Sequence, residues 1–202
     1  MFLDTVRDRY FCLSASSERA FLALIDPKRT EVNDDEIAQL VRHHVVEPLS
    51  GDARPRPCPP APIAETSLLD APPSPLDLLA LVLAGVELAR VSLTLRRRGF
   101  DALLAGVRRA KQGMMEDAPQ ARTAARVATA FARTSYFSSA QDRCLVRSIA
   151  VARRLLALDC RPDLILGVKL QPFRAHCWVQ HQGRLVNDRI DVVRAFTPIL
   201  LI

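Results

Sequence analysis

The sequence predicts an α+β protein built from two unlike units with a proline-rich segment between them. Three observations support this: short apolar strands followed by helices near the amino terminus, nine of the fourteen prolines between residues 48 and 75, and a change from helical to strand periodicity near residue 160. With 202 residues, 49% of them hydrophobic and 25% charged, the composition is globular and excludes a disordered or collagen-like chain.

The first unit, residues 1–49, has the elements of a small winged-helix-like module. Residues 2–3 and 10–13 have the pattern of two short paired strands. Two helices follow: Ser17 stands near the start of the first, and Asn33, three residues before a glutamate, has capping-box spacing at the start of the second. The first fifty residues hold 6 basic and 9 acidic side chains, and this net charge of −3 argues against DNA binding.

Residues 50–75 are predicted to be a linker. Prolines at this density favour the polyproline conformation and exclude a helix or a central strand. The alternative interpretation is a proline-rich docking segment.

The basic charge of the chain lies beyond residue 50, where 22 basic side chains face 13 acidic ones. Most are arginines at helical spacing among Ala and Leu, which is typical of a solvated helix face. A nucleic-acid surface would combine clustered basic residues with aromatic side chains or a helix-turn-helix. We therefore expect no nucleic-acid partner.

The sequence favours a cytoplasmic protein. No basic-then-apolar signal segment opens the chain, and its five cysteines show no disulfide framework. The most apolar stretch, residues 76–95, contains Asp77, Glu87 and Arg90, each costly at the centre of a bilayer. We expect this stretch to form a buried helix of a soluble protein, without a membrane partner.

The second unit, residues 76–202, is predicted to contain four helices followed by an antiparallel sheet, which makes it an α+β domain. Gly99 and Gly113 mark the ends of two helices. The helices are expected over residues 76–97, 101–112, 121–135 and 144–158, and the strands over residues 163–168, 175–180 and 184–188.

A cysteine at the start of a predicted helix and a histidine in a predicted strand outline a thiol nucleophile and its base. Cys144 begins the fourth helix, where the positive end of the helix dipole lowers a thiol pKa and backbone N–H groups can serve an oxyanion. His176 lies in a half-apolar strand, where an ionisable side chain is unusual and indicates a functional role. The alternatives are a buried structural cysteine and a packing histidine.

The hairpin that follows His176 decides which side chain faces the imidazole. If residues 181–183 form a three-residue loop with the glycine left-handed, paired positions sum to 364 and Asp188 lies opposite His176. A carboxylate there would hold the imidazole in the tautomer that accepts the thiol proton. A two-residue loop shifts the sum to 365 and brings Asn187 onto that face. We prefer Asp188, because glycine ends the loop. Asp191, past the strand end, is the weaker candidate.

The sequence does not predict a metal site or a bound cofactor. Structural zinc sites bring cysteines and histidines in close pairs, whereas the adjacent His176 and Cys177 point to opposite faces of a strand. Glycine-rich phosphate loops are also missing from the sequence, which has seven glycines in all.

Several short motifs resemble a known family. In the second unit they are Cys-Leu-Val-Arg-Ser at 144–148, Gly-Val at 167–168, Pro-Phe-Arg-Ala-His-Cys-Trp-Val at 172–179 and Asn-Asp at 187–188. These resemble the lasso peptide biosynthesis B proteins, whose papain-related, transglutaminase-like cysteine protease domain removes the leader from a ribosomally made precursor. Arg-Asp-Arg-Tyr-Phe-Cys-Leu at 7–13 is similar to the leader-recognition module related to pyrroloquinoline quinone biosynthesis protein D.

The resemblance implies a cysteine endopeptidase that works through an acyl-enzyme, with Cys144 as nucleophile, His176 as general base and Asp188 as orienter. Its partners would be the lasso precursor and a cyclase similar to asparagine synthetase, through which activity could depend on ATP. Gln141 is a further candidate, as an oxyanion donor. The family's usual Ala-His-Ala-Trp-Val-Glu reads Ala-His-Cys-Trp-Val-Gln here, which spares the triad and makes Cys177 a site of unwanted oxidation.

The first unit is then expected to receive the leader as an added strand. The candidate peptide-binding residues are Tyr10, Phe11 and Leu13 near its sheet and Leu40 and Val41 on a helix. The alternative for each is core packing. Two other functions fit the chain as a whole: a non-catalytic scaffold that binds the precursor, and an acyl transferase of the transglutaminase type.

Overall fold

The computed structural model describes residues 1–26, 28, 33–48, 60–114, 121–134 and 144–202. The chain divides into two units. One contains most residues up to 59, and the other contains the residues from 60 to 202 together with the turn at 5–8. The fold class is α+β, as predicted.

The first unit pairs two short strands and two helices, as the sequence predicts. Strand β1 (Phe2–Asp4) runs antiparallel to β2 (Arg9–Phe11). The rings of Phe2 and Phe11 stack with their centroids 5.6 Å apart, and Phe21 meets Phe2 edge-on at 5.0 Å. This aromatic cluster joins the strands to the first helix.

The helices of this unit begin at side-chain caps. Helix α1 (Ala15–Ile25) begins at Ser14, whose hydroxyl accepts a hydrogen bond from the Ser17 N–H at 3.2 Å. Helix α2 (Asp34–Arg42) begins at Asn33, whose side chain accepts from the Asp35 N–H at 3.0 Å. Each cap satisfies a donor that the first turn leaves unpaired.

The long helices of the second unit lie close to their predicted bounds, and a short helix that was not predicted follows them. They are α3 (Leu78–Gln112), α4 (Ala121–Thr134), α5 (Cys144–Leu156) and the short α6 (Ile190–Val193). Helix α3 is broken at Gly99, where φ is 79° and ψ 179°. Glycine tolerates this backbone conformation and most other residues do not, so the two helices predicted on either side of Gly99 are confirmed.

The prediction that residues 76–95 form a buried helix is wrong. Leu79 and Val82 are 69% and 61% exposed, while Ala84 and Val91 point into the core. By length and composition alone, helix α3 is long and apolar enough to cross a membrane. Only 11% of its most apolar 18-residue stretch is buried. Hydropathy alone predicted burial, because it does not show how few neighbours cover this part of the helix.

A five-stranded sheet forms the other half of the second unit, in the order β3-β6-β5-β4-β7. Its strands are β3 (Thr66–Ser67), β4 (Asp163–Leu170), β5 (Phe173–His181), β6 (Arg184–Leu185) and β7 (Thr197–Leu201). β3 pairs with β6 in parallel, and the other pairs are antiparallel. Helix α5 contacts both β5 and β4, and α3 contacts α5.

The predicted linker, residues 50–75, ends earlier than the sequence suggested. Residues 63–71 of this segment contain no proline, and they include the edge strand β3. The Leu68 N–H donates to the Leu185 carbonyl at 2.8 Å, and both side chains are buried. Residues from Pro60 onward therefore belong to the second unit.

The hairpin between β5 and β6 differs from the prediction. Gln180 pairs with Leu185 and His181 with Arg184, so paired positions sum to 365. The loop is the two-residue turn Gln182-Gly183, in which both φ angles are positive, at 50° and 73°. Positive φ at both positions defines a turn whose twist matches that of the strands. The predicted three-residue loop is wrong, and so is the predicted extension of the last strand to residue 188.

Gly167 makes room for an aromatic ring on the sheet. It pairs with His176 on β5, and the Trp178 ring lies over it. A Cβ atom at position 167 would come within 2.8 Å of the Trp178 ring and 3.1 Å of the Phe196 Cβ atom. Trp178 is 2% exposed and packs with Ile165 and neighbouring apolar side chains, so its ring has little space to move.

We expect Gly167→Ala to lower the free energy of unfolding by about 1–3 kcal/mol, the usual cost of overpacking a core. Urea unfolding measures the loss. Gly106→Ala is the matched control: a Cβ there meets nothing within 4 Å, and alanine favours a helix by up to about 1 kcal/mol over glycine. Equal stability of the Gly167→Ala protein and the wild type would contradict this packing.

Candidate active site

The structure brings together Cys144, His176 and Asp188. Cys144 is the first residue of α5, His176 lies near the middle of β5, and Asp188 follows β6. The His176 Nε2–H donates to Asp188 Oδ2 at 2.5 Å, and the Cys144 thiol is hydrogen-bonded to His176. Because Nε2 faces the carboxylate, Nδ1 is the ring nitrogen left for the thiol.

Asp188 reaches the imidazole although the observed register does not place it opposite His176. The ladder between β5 and β6 ends where the Val186 N–H donates to the Val179 carbonyl at 2.9 Å. Beyond it, the Asn187 side chain accepts from the Val179 N–H at 2.8 Å, and the chain turns away from strand geometry. Asp188 therefore comes to His176 from outside the ladder.

Asp188 and Asn187 have different tasks in the structure. The Asp188 carboxylate faces the imidazole, and the Ser67 hydroxyl donates to its backbone carbonyl at 2.6 Å. Both Asn187 amide groups are engaged elsewhere, with Val179 and Ser148. Asp191, the third candidate, lies exposed in the first turn of α6.

Aromatic side chains surround the imidazole. The centroid of the Phe196 ring lies 5.0 Å from that of the imidazole, with an interplanar angle of 33°. The centroid of the Trp178 ring lies 6.1 Å away, with an interplanar angle of 24°. The side chains of His176 and Asp188 are 17% and 15% exposed. Little water therefore competes with Asp188 for the imidazole N–H, which strengthens their hydrogen bond.

The electrostatics favour a thiolate beside a charged imidazole. Burial opposes ionisation of Cys144, but hydrogen bonds from His176 and from the Cys177 and Leu145 N–H groups, with the attraction of the imidazolium, lower its pKa below the usual value. Burial also opposes protonation of His176, yet its hydrogen bonds with Asp188 and Cys144 raise its pKa to about 9. Each partner stabilises the charge of the other.

Sequence reasoning missed Arg147, one turn beyond Cys144. Burial lowers the pKa of its guanidinium below the usual value, and the nearby charge of Asp188 offsets only part of this effect. The Arg147 guanidinium donates to the Phe131 carbonyl at 2.5 Å. Its position three residues after the nucleophile on a helix is the signal that could have identified it.

Cys177 carries no activated thiol. It is 2% exposed, and burial, together with the nearby Cys144 charge, raises its thiol pKa far above the usual value. A neutral buried thiol reacts slowly with oxidants, so the sequence-based concern about oxidation at Cys177 is not supported.

The remaining candidate residues are distributed as follows. Gln141 lies outside the described residues. Leu40 is 0% exposed in the core of the first unit, which corrects its predicted contact with a peptide, because it has no surface to offer. The other peptide-binding candidates are half-buried: Tyr10, Phe11, Leu13 and Val41.

Among the residues the structure describes, no three His, Cys, Asp or Glu side chains form a group that could hold a metal ion. A thiolate at a helix start, a proton-carrying imidazole and backbone N–H groups of the first turn are the parts needed for acyl transfer.

Comparison with known proteins finds two similarities. Residues 86–201 match the family described as the transglutaminase-like superfamily. The microcin J25-processing protein McjB of Escherichia coli is 40% identical over 45 residues, which are 22% of this chain and 22% of that protein. The chain thus aligns with about a fifth of the length of this curated relative. No solved structure matches.

The superfamily match covers more than half of the residues and includes Cys144, His176 and Asp188. The protein belongs to the transglutaminase-like superfamily.

Proposed function

We propose that this protein is a cysteine endopeptidase that removes the leader from a lasso precursor peptide. The observation that supports this most directly is the Cys144–His176–Asp188 arrangement at the start of α5. The similarity to a microcin-processing protein, although short, supports a peptide precursor as substrate.

The site residues suit a two-step reaction. The Cys144 thiolate attacks the scissile carbonyl carbon, and the backbone N–H groups at the start of α5 stabilise the oxyanion. His176 gives its proton to the leaving amine, which leaves a thioester on Cys144. Neutral His176 then takes a proton from water, the hydroxide attacks the thioester, and the peptide acid departs as the thiolate re-forms. Asp188 holds the imidazole in place throughout.

The edge of β5 offers a place for an extended peptide. β6 pairs with β5 at Gln180 and His181. The Asn187 and Ser148 side chains bind the Val179 N–H and the Cys177 carbonyl, so a peptide would add at the part of the edge before Cys177. The Cys177 N–H faces the Cys144 sulfur, on the side of β5 away from β4. Bonding directions alternate along an antiparallel strand, so Ala175 is the next residue that faces this side, and it is exposed. A substrate added as a strand here would bring its backbone to the nucleophile.

The first unit is proposed to bind the leader, and the cleavage site would then reach Cys144 by tethering. Such linkage raises the local substrate concentration to about the millimolar range. We also propose that the protein works in the cytoplasm, without a cofactor of its own, beside an asparagine-synthetase-like cyclase that consumes the freed peptide and through which activity could depend on ATP.

We expect Cys144→Ala to reduce leader cleavage to the uncatalysed level, a loss on the order of 10³-fold or more. Mass spectrometry of a precursor peptide after incubation measures it. Fragments that together exceed the precursor by one water identify hydrolysis, whereas an isopeptide product identifies the acyl transferase. Cys160→Ala, which alters a buried cysteine of the same unit, is the control and should keep activity. Undiminished cleavage by Cys144→Ala would refute the proposal.

The pH dependence of kcat/KM should be bell-shaped. Activity rises as the thiol ionises, below its ordinary pKa, and falls as His176 loses its proton near pH 9. We expect Asp188→Asn to move the alkaline limb to lower pH, because a neutral acceptor stabilises the imidazolium less, and to reduce kcat/KM on the order of 10²-fold or more. Asp191→Asn, an exposed neighbour, should leave the profile unchanged. An unmoved alkaline limb in Asp188→Asn would contradict the orienter role.

Leader binding by the first unit is tested with Tyr10→Ala in a Cys144→Ala background. We expect the Kd for a labelled leader peptide, measured by fluorescence anisotropy, to rise about tenfold. Leu22→Ala, which changes an exposed apolar residue of α1, is the control. Equal Kd values for the two variants would show that the leader binds elsewhere.

A further inference from the structure

We propose that Ser148 and Asn187 are positioning residues that hold Cys144, His176 and Asp188 in their reactive geometry. This inference rests on the thiol chemistry of the proposed function and not on the identity of the substrate. The hydrogen bonds of the two side chains go to the Cys177 carbonyl, to the Val179 N–H and to each other. Each acts through the backbone of β5 or through its neighbour in the chain.

The two side chains replace strand β6 along the free side of β5. Where the ladder ends, the Asn187 Oδ1 atom accepts from the Val179 N–H at 2.8 Å. Two residues before Val179 in β5, the Cys177 carbonyl accepts a hydrogen bond from the Ser148 hydroxyl at 2.6 Å. The Asn187 Nδ2–H donates to the Ser148 Oγ atom at 2.8 Å and joins the two. The backbone groups that lack a strand partner are thus satisfied by side chains.

Cys177 links this network to the nucleophile. Its carbonyl accepts from Ser148, and its N–H is hydrogen-bonded to the Cys144 sulfur. Ser148 is four residues after Cys144, so the two side chains lie on the same face of α5, one turn apart. Helix α5 is therefore attached to β5 at two points, the N–H and the carbonyl of Cys177. Two attachments fix both the rotation of the helix and the distance from Cys144 to His176.

Asn187 links the same network to the acid. It immediately precedes Asp188, and its two bonds fix the chain at the point where it leaves the sheet. The Ser67 hydroxyl holds the Asp188 carbonyl from the other side of the segment. With the backbone held at both residues, the carboxylate has little freedom to leave His176.

A packing role alone does not account for these residues. Ser148 is 0% exposed, and burying a hydroxyl costs free energy unless it is hydrogen-bonded. An apolar residue of similar size would fill the space without that cost. Its donor and acceptor are both used, and each bond leads to a residue beside the triad. The network therefore fixes the positions of the residues beside the triad.

The test is the pH midpoint of Cys144 alkylation by iodoacetamide, followed by mass spectrometry of the peptide that contains Cys144. It needs no peptide substrate. The titratable and charged groups around the thiol are His176, Cys177, Asp188 and Arg147, and none is altered in the variants. We expect Ser148→Ala to raise the midpoint by about one pH unit, because the Cys177 N–H no longer holds its place against the thiolate.

Asn187→Ala should raise the midpoint similarly and also move the alkaline limb of kcat/KM to lower pH, because Asp188 is no longer held. In both variants we expect kcat to fall roughly 10- to 100-fold with KM within about twofold, as for a loss confined to the transition state. Ser148→Thr keeps the hydroxyl and adds no titratable group, so its midpoint should stay close to that of the wild type, and Asn187→Ala carries the test if Ser148→Ala does not fold.

Thr129→Val is the matched control. It removes one hydrogen bond of the same unit, from the Ser74 N–H to the Thr129 hydroxyl at 3.1 Å, away from the triad. It should lower the melting temperature and leave the midpoint unchanged. If Ser148→Ala and Asn187→Ala behave like Thr129→Val, the positioning role is refuted. A shifted midpoint in a protein that cleaves no precursor would instead support positioning and refute the proposed function.

Discussion

The hydrogen bond between His176 and Asp188 is the interaction on which the rest of the site depends. At 2.5 Å and with both side chains mostly shielded from water, it keeps a proton on the imidazole that solvent would otherwise remove. That proton gives the Cys144 thiol a positive neighbour and favours its ionised form. The aromatic rings of Phe196 and Trp178 keep the imidazole dry, so the bond is not weakened by competing water.

The bond exists because strand β6 is short. A longer strand would continue the ladder and direct each side chain by strict alternation. Instead pairing with β5 ends after two residues, and side-chain hydrogen bonds carry the chain past the sheet to His176. The long strands β4 and β5 hold His176, and the irregular segment beside them brings Asp188 to it. Active-site groups commonly occur where regular structure ends, because a strand interior already uses its backbone groups.

Local signals predicted the parts of the fold that depend on local physics. Caps, glycine breaks and periodicity located the helices and the two long strands within a few residues, because those signals lie within a few residues of the structure they determine. Strands β3 and β7 were missed, since short edge strands are defined by their partners. Asp188 was chosen from a hairpin register that is wrong, and it still lies at His176. Ser148 gave no signal, because a serine inside a helix identifies neither burial nor a bonding partner.

The parallel pairing of β3 with β6 bears on how this protein can be divided. Ser67 belongs to a proline-flanked stretch that a sequence-based boundary would assign to a dispensable connector, yet its hydroxyl holds the backbone of Asp188. A fragment that started at residue 76 would expose the buried side chain of Leu185 and remove the Ser67 hydroxyl from the Asp188 carbonyl. Any separation of the two units has to keep the chain from Pro60 onward with the second unit.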